Sequence, residues 1–63
     1  LNIDWNGKVN ATLHLYNTAG IEVIEPSVLN IGKNTIGTAN LPSGIYLLQV
    51  ESNGITKQAK LRK

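Results

Sequence analysis

The residue types that perform acid–base or nucleophilic catalysis are few in this sequence of 63 residues. A hydrolytic triad would need His14, the only histidine, as its base and Asp4 as the orienting carboxylate. The available nucleophiles are the serines Ser27, Ser43 and Ser52. None of them lies in the strained turn that exposes a catalytic nucleophile. The sequence therefore predicts no catalytic residue, and we expect the protein not to be an enzyme.

A metal site has equally little support. The chain has one histidine and no cysteine, whereas a zinc site draws several ligands from these residue types. His14 also falls on a polar position of an alternating segment, where a solvated or hydrogen-bonded side chain is expected. We predict neither a metal site nor a cofactor.

Positive charge is concentrated in the last seven residues, which contain Lys57, Lys60, Arg62 and Lys63. The four acidic residues are scattered along the chain, and the net charge is only +2. Nucleic-acid binding is poorly supported, because Lys8 and Lys33 alone remain to extend a basic groove. Two interpretations of the basic end stay open: a partner recognises it, or its lysines only discourage edge-to-edge aggregation of a strand.

The elements that would position these residues are strands, since apolar residues recur at every second position. Residues 9–16 have apolar side chains at odd positions and mostly polar ones at even positions, and Leu1, Ile3 and Trp5 alternate in the same way. Between the two segments, Asn6-Gly7 is typical of a type I′ turn. Residues 1–5 and 8–16 are therefore predicted to be antiparallel neighbours.

Further turns divide the rest of the chain. Asn17 to Gly20 leads into a strand at residues 21–24, which Pro26 ends because proline has no N–H to donate. A weaker strand is predicted at residues 33–39. Ser52-Asn53-Gly54 joins strands at residues 46–51 and 55–61 as a third hairpin.

These elements predict an all-β fold. No window of ten or more residues has the apolar spacing of a helix. Strands with turns every 8 to 12 residues are typical of a small immunoglobulin-like Greek-key β-sandwich, here of about six to seven antiparallel strands. A chain this short buries little apolar surface and has no disulfide, so we expect it to be marginally stable.

The segment Leu41-Pro42-Ser43-Gly44-Ile45-Tyr46 has the composition of a corner between two sheets. In such sandwiches a tyrosine near the start of a strand donates its hydroxyl to backbone a few residues upstream. We predict a structural corner motif in which Leu41 plugs the core, Gly44 turns the chain and Tyr46 pins it. The alternative is an ordinary core tyrosine with no special bond.

Four segments together resemble the type A C-terminal sorting domain of proteins exported by the type IX (Por) secretion system of Gram-negative bacteria. They are Leu15-Tyr16-Asn17-Thr18-Ala19-Gly20, Gly32-Lys33-Asn34-Thr35-Ile36, residues 41–50 and residues 57–63. They resemble that family's aliphatic-Tyr-Asn-x-x-Gly turn, its Gly-x-Asn strand entry, its Leu-x-x-Gly-x-Tyr strand and its lysine-studded last strand. The order and approximate spacing also match, over residues 1–63.

The resemblance implies a non-catalytic signal that directs an upstream cargo across the outer membrane. The implied partners are the secretion machinery at the outer membrane and a surface sortase that links the cargo to anionic lipopolysaccharide. We expect the recognised residues to be Lys57, Lys60, Arg62 and Lys63. The location would be secreted or attached to the cell surface, by way of the periplasm, with no nucleic-acid partner and no membrane-spanning segment.

One departure from the family concerns the beginning of the chain. The family usually opens with a Pro-Asn-Pro segment and a first strand, and this sequence begins after the place where they would lie. We therefore expect residues 1–63 to be an N-terminally incomplete fragment of a larger secreted protein.

A rival prediction is a carbohydrate-binding or adhesive β-sandwich module of a secreted enzyme. Such sites present aromatic platforms, and the only aromatic residues of the Phe, Tyr and Trp types are Trp5, Tyr16 and Tyr46. Adjacent exposure of Trp5 and Tyr16 on one sheet face would favour this rival. The parity of Trp5 with Leu1 and Ile3 instead favours a place in the core.

Overall fold

A computed structural model describes residues 1–63, and the chain forms six strands and no helix. The strands are β1 Asn2–Trp5, β2 Ala11–Asn17, β3 Ser27–Leu29, β4 Gly32–Thr35, β5 Ile45–Ser52 and β6 Ile55–Arg62. They make a two-stranded sheet, β1-β4, and a four-stranded sheet in the order β3-β2-β5-β6, with every pair antiparallel. The predicted class, a small all-β sandwich, is confirmed. The structure contains no helix that is long and apolar enough to cross a lipid bilayer.

Apolar residues at every second position form the inner face of the four-stranded sheet. In β2 the odd-numbered Leu13 and Leu15 are fully buried, while His14 between them is only half-buried. Leu13 pairs with Val50 of β5, which places both side chains on the same face of the sheet. The alternation read from the sequence is therefore the pattern that the fold buries.

The core lies between the two sheets. Its buried cluster takes one or more residues from β2, β3 and β5 and one residue that follows β4: Ala11, Leu13, Leu29, Ile36 and Val50. The alternating residues of β1 pack against this cluster and are only partly buried, as expected for the smaller, two-stranded sheet. The core is thus covered more completely on the four-stranded side.

The predicted hairpin at Asn6-Gly7 is wrong. β1 pairs with β4, in a register that runs from Asn2 opposite Thr35 to Trp5 opposite Gly32. Gly7 does not take a positive φ. Instead the indole of Trp5 covers it: a Cβ at Gly7 would lie 2.4 Å from Trp5 Cζ2. The indole Nε1 donates to the carbonyl of Val9 at 2.8 Å. The segment between β1 and β2 connects the two-stranded sheet to the four-stranded sheet.

The predicted strand at residues 21–24 is reduced to an isolated bridge. Glu22 pairs with Tyr16, and the amide of Val23 donates to the carbonyl of Leu15 at 2.9 Å. The extended ladder begins only after Pro26, where β3 pairs with β2. A proline can precede a strand because the residue before the first ladder bond needs no donor.

The predicted strand at residues 33–39 is shorter than expected, ending as β4 at Thr35. The ladder with the first strand continues for one more residue, because the amide of Ile36 donates to the carbonyl of Leu1 at 2.7 Å. Ile36 is 8% exposed and belongs to the core cluster.

The third hairpin is confirmed. Asn53 and Gly54 take φ values of 52° and 78°, the positive values that a type I′ turn requires. Ser52 and Ile55 pair on either side of them. We call this pole of the molecule, where Trp5 also lies, the hairpin end, and the opposite pole, with Leu1, Tyr46 and Lys63, the corner end.

Candidate functional site

The basic residues at the end of the sequence lie on β6, which is an edge strand of the four-stranded sheet. Lys57, Lys60 and Arg62 are all exposed. The one close contact between a basic and an acidic side chain is His14 with Glu22, so no carboxylate lies within 4.0 Å of these three cations. They form an unneutralised positive edge.

The pleat of β6 divides this charge between two faces. Lys57 pairs with Val50, so it projects from the face of the sheet that bears the core. Lys60 pairs with Leu47, and Arg62 with Ile45, on the opposite, solvent-facing side. Lys60 and Arg62 are therefore neighbours on one face, and Lys57 stands apart from them.

Lys63 differs from the other three cations, because it holds a loop. Its Nζ donates to the backbone carbonyls of Thr38 and Leu41. Its backbone exchanges two hydrogen bonds with Gly44, at 3.0 and 2.8 Å, which extends the β5–β6 ladder by one pair beyond Arg62. The last residue thus joins the end of β6 to the corner segment.

Tyr46 stands at the start of β5, where the corner segment enters the sheet. It is 6% exposed, and its hydroxyl donates to the carbonyl of Pro42, four residues upstream. A buried phenol group needs such a partner, and here the backbone of the same corner supplies it.

Leu41 is half-buried and lies outside the core cluster. It lines a small cavity of about 180 Å³ at the corner end, together with Leu1, Tyr46 and Leu61. Leu41 therefore covers the end of the sandwich, and the main core lies elsewhere.

Asn17 organises the turn that follows β2. Its side-chain Oδ1 accepts hydrogen bonds from the amides of Ala19, at 2.9 Å, and Ile21, at 3.0 Å. Gly20 takes a φ of 81°, a value that costs other residues energy, and its amide donates to the carbonyl of Asn17 at 3.0 Å. These bonds explain why the Tyr-Asn-x-x-Gly segment has asparagine and glycine at these positions.

Asn34 organises the turn before β4 in a similar way. Its side chain accepts from the amide of Asn30 at 2.9 Å and donates to the carbonyls of Asn30 and Gly32, at 2.8 and 3.1 Å. Gly32 has a φ of 103°, which only glycine adopts readily. The Gly-x-Asn segment is thus a turn tied by its own asparagine.

Comparison with known proteins identifies a family. The family model described as the secretion system C-terminal sorting domain matches residues 1–63, which is the whole chain. The chain belongs to this family. No match was found among curated proteins or among solved structures.

The sorting domains of this family are C-terminal signals of type IX secretion. Such a signal indicates export across the outer membrane, to a secreted or cell-surface location. It also implies an interaction with the type IX secretion machinery.

The residues considered for catalysis are dispersed in this sorting domain. His14 Nδ1 lies 2.7 Å from Oε2 of Glu22, and its ring stacks on Tyr16 with centroids 6.2 Å apart. The hydroxyls of Ser27 and Ser52 donate to backbone carbonyls. No group of three His, Cys, Asp or Glu residues is arranged to hold a metal ion.

Trp5 and Tyr16 do not form a shared platform. Trp5 lies on the two-stranded sheet and packs against the core cluster. Tyr16 has the parity of Thr12 and His14, on the solvent-facing side of the four-stranded sheet. The arrangement that would have favoured carbohydrate binding is therefore absent.

Sequence reasoning missed the structural part played by Lys63. Lys63 shares the charge of its basic neighbours and their place at the end of the chain, so the sequence predicts the same role for all four. Its position two residues after Leu61 places it opposite Gly44, and this could have been counted from the hairpin at Asn53-Gly54. The loop carbonyls that its ammonium contacts have no signal in the sequence.

Proposed function

We propose that this sorting domain is a non-catalytic export address, read by the type IX machinery through the positive edge of β6. The cargo would be the protein segment joined ahead of residue 1, and a surface sortase would then link that cargo to anionic lipopolysaccharide. The whole-chain family match carries the proposal. Within the domain, Lys57, Lys60 and Arg62 are proposed as recognition residues because they are exposed and have no carboxylate partner.

The bonds of Lys63 to the corner change how charge recognition must be tested. Removing all the terminal cations together would also remove the ammonium that bonds to Thr38 and Leu41, so a lost signal could reflect lost structure. Lys60 and Arg62 contact neither carbonyl, and they share one face of the strand. They can therefore be changed while Lys63 is kept.

The test compares two double variants of the domain, each fused behind the same reporter in a type IX-competent strain. Lys60→Gln/Arg62→Gln removes two charges from β6, and Lys8→Gln/Lys33→Gln removes two charges elsewhere. Both variants should keep the β-sheet circular dichroism of the parent. We expect the reporter to accumulate in the periplasm with the first variant and to reach the cell surface or medium with the second.

The opposite result would assign these residues a different role. Should the folded Lys60→Gln/Arg62→Gln variant be exported as well as the parent, recognition does not depend on these charges. The cations of β6 would then serve to keep an exposed strand edge from aggregating.

A further inference from the structure

The outer edge of β6 is the longest unpaired strand edge of the molecule. β6 has eight residues and pairs only with β5, through an uninterrupted ladder without a bulge. The other edge of the same sheet, β3, has three residues and follows Pro26 directly. β1 and β4 have four residues each. A long, regular edge without proline is the kind of strand that another chain can extend.

The backbone groups that are free on this edge can be identified from which residues of β6 form hydrogen-bonded pairs with β5. Lys63 and Gly44 exchange both of their backbone hydrogen bonds. Since bonded and non-bonded pairs alternate in an antiparallel ladder, odd-numbered residues of β6 bond to β5 and even-numbered ones face outward. The residues that present a free N–H and a free C=O are Thr56, Gln58, Lys60 and Arg62.

The side chains of β6 indicate what charge a strand would need in order to pair with its outer edge. Lys60 and Arg62 are two residues apart on one face, and Lys57 lies on the other face. β6 contains no acidic residue, and none of these cations is in an ion pair. Two copies of β6 would oppose like charges, which destabilises a strand pair, whereas carboxylates at alternate positions would match Lys60 and Arg62.

We infer that β6 is a docking edge for an extended acidic segment of a partner protein, which joins the four-stranded sheet as an added strand beside β6. The inference rests on the proposed function in one respect, since it assigns that partner to the export machinery. Backbone hydrogen bonds at the four outward residues hold the segment, and its alternate carboxylates face Lys60 and Arg62. The basic edge thus excludes a second copy of the domain and accepts an acidic strand.

The probe for this inference is a short, end-capped synthetic peptide that alternates glutamate with threonine, added to the ¹⁵N-labelled 63-residue chain. We expect amide shift changes to be largest on β6, and hydrogen exchange to slow at the four outward amides. Binding should weaken as salt concentration rises, because exposed charges are screened. A peptide with lysine in place of glutamate should not bind.

Two sets of variants separate the backbone contribution from the charge contribution. Gln58→Pro removes one outward N–H without changing the charge, and Gln58→Thr keeps that N–H while losing the same side-chain bond to Gln49. We expect Gln58→Pro, but not Gln58→Thr, to abolish binding. Lys60→Gln/Arg62→Gln should weaken binding roughly tenfold, the effect of losing two exposed ion pairs.

If Gln58→Pro alters the fold, a chemically synthesised chain with an N-methyl group on Gln58 removes the same donor with less constraint on the backbone. Failure of the acidic peptide to bind the parent would overturn the inference. So would equal binding to the parent and to the folded variant that lacks the N–H of Gln58, because strand addition requires that donor.

The export experiment distinguishes this failure from a failure of the proposed function. Loss of export in Lys60→Gln/Arg62→Gln, with no peptide binding to the parent, supports charge recognition and overturns strand addition. Specific peptide binding combined with normal export of that variant supports strand addition and overturns charge recognition as the export signal.

Discussion

Single polar side chains hold the turns of this domain. Asn17 and Asn34 each bind backbone groups of an adjacent turn, Tyr46 binds the corner from β5, and Lys63 binds it from the end of β6. With only seven buried residues, the core is small, so these bonds make a large relative contribution to a small free energy of unfolding. Substitutions at these positions are therefore expected to have measurable effects.

The first residue-scale prediction concerns the hydroxyl of Tyr46. Tyr46→Phe leaves the carbonyl of Pro42 without its partner and should lower the free energy of unfolding by about 1–3 kcal/mol. The measurement is the urea midpoint. Tyr16→Phe is the matched control, since Tyr16 is only half-buried on the solvent-facing side, and it should change the midpoint little. Equal midpoints for Tyr46→Phe and the parent would contradict a pinning role for this bond.

The second residue-scale prediction concerns the ammonium of Lys63. Lys63→Gln removes a charged donor to the carbonyls of Thr38 and Leu41, and should lower the free energy of unfolding by about 1 kcal/mol, a value reduced by solvent exposure. Lys60→Gln, which removes an equal charge from the same strand, should leave the urea midpoint within error. If both variants shift the midpoint equally, a general charge effect explains the result.

How far the candidate site could be predicted depends on the range of its contacts. Tyr46 bonds within its own corner, four residues away, and a local pattern of Leu, Gly and Tyr is visible in the sequence. Lys63 contacts carbonyls 22 and 25 residues away, and nothing in its neighbours signals them. The clustering of positive charge in β6 is visible in the sequence. The pairing of β6 with β5 was needed to show that Lys57 lies on one face of the sheet and Lys60 and Arg62 on the other.

At the scale of elements, the turn at the hairpin end depends on backbone conformation alone. Gly54 has a φ of 78°, and an added Cβ there would meet no atom within 4 Å. Gly54→Ala should therefore cost about 1–2 kcal/mol through the left-handed backbone, without any steric clash. Gly37→Ala is the control, because Gly37 has equal space and no positive φ, and it should be neutral or slightly stabilising.

Thermal unfolding of the two alanine variants measures this difference. A melting temperature of Gly54→Ala that equals that of Gly37→Ala would mean that the turn relaxes to a conformation open to alanine. The β5–β6 hairpin would then not depend on a type I′ turn.

The partners of the strands were harder to predict than the strands themselves. The alternation of Leu1, Ile3 and Trp5 indicates which face of β1 is buried, and this face is the same whether β1 pairs with β2 or with β4. Asn6-Gly7 is typical of a hairpin, but the chain there is fixed by the indole of Trp5 over Gly7. Pairing was predicted correctly where a two-residue turn joins the strands, at β5–β6, because that contact is local.

At the scale of the whole molecule, the two sheets differ in how well they are held. β2 and β5 are central strands with a partner on each side, whereas β1 and β4 have only each other. Local opening requires fewer broken contacts in the smaller sheet. We expect backbone amides of β2 and β5 to exchange with solvent only through global unfolding, and those of β1 and β4 to exchange faster through partial opening.

Native-state hydrogen exchange at low urea concentrations tests this expectation by NMR. Exchange of β1 and β4 should show little dependence on urea, because partial opening exposes little surface. If their amides follow the same urea dependence as those of β2 and β5, the sandwich unfolds as one cooperative unit.

Leu1 and Lys63 line the same cavity at the corner end, so the first and last residues lie at the same end of the molecule. Tension applied between them pulls across the strands, and the hydrogen bonds of β1 are then loaded one pair at a time. The first pair to carry the load is Leu1 with Ile36, whose two bonds measure 3.0 and 2.7 Å. If a cargo pulls on residue 1 while a partner is bound to β6, β1 would separate from β4 by sequential rupture of its hydrogen-bonded pairs. The four-stranded sheet would remain intact, with the partner still bound to β6. The two-stranded sheet would therefore unfold under force before the part of the domain that binds the partner.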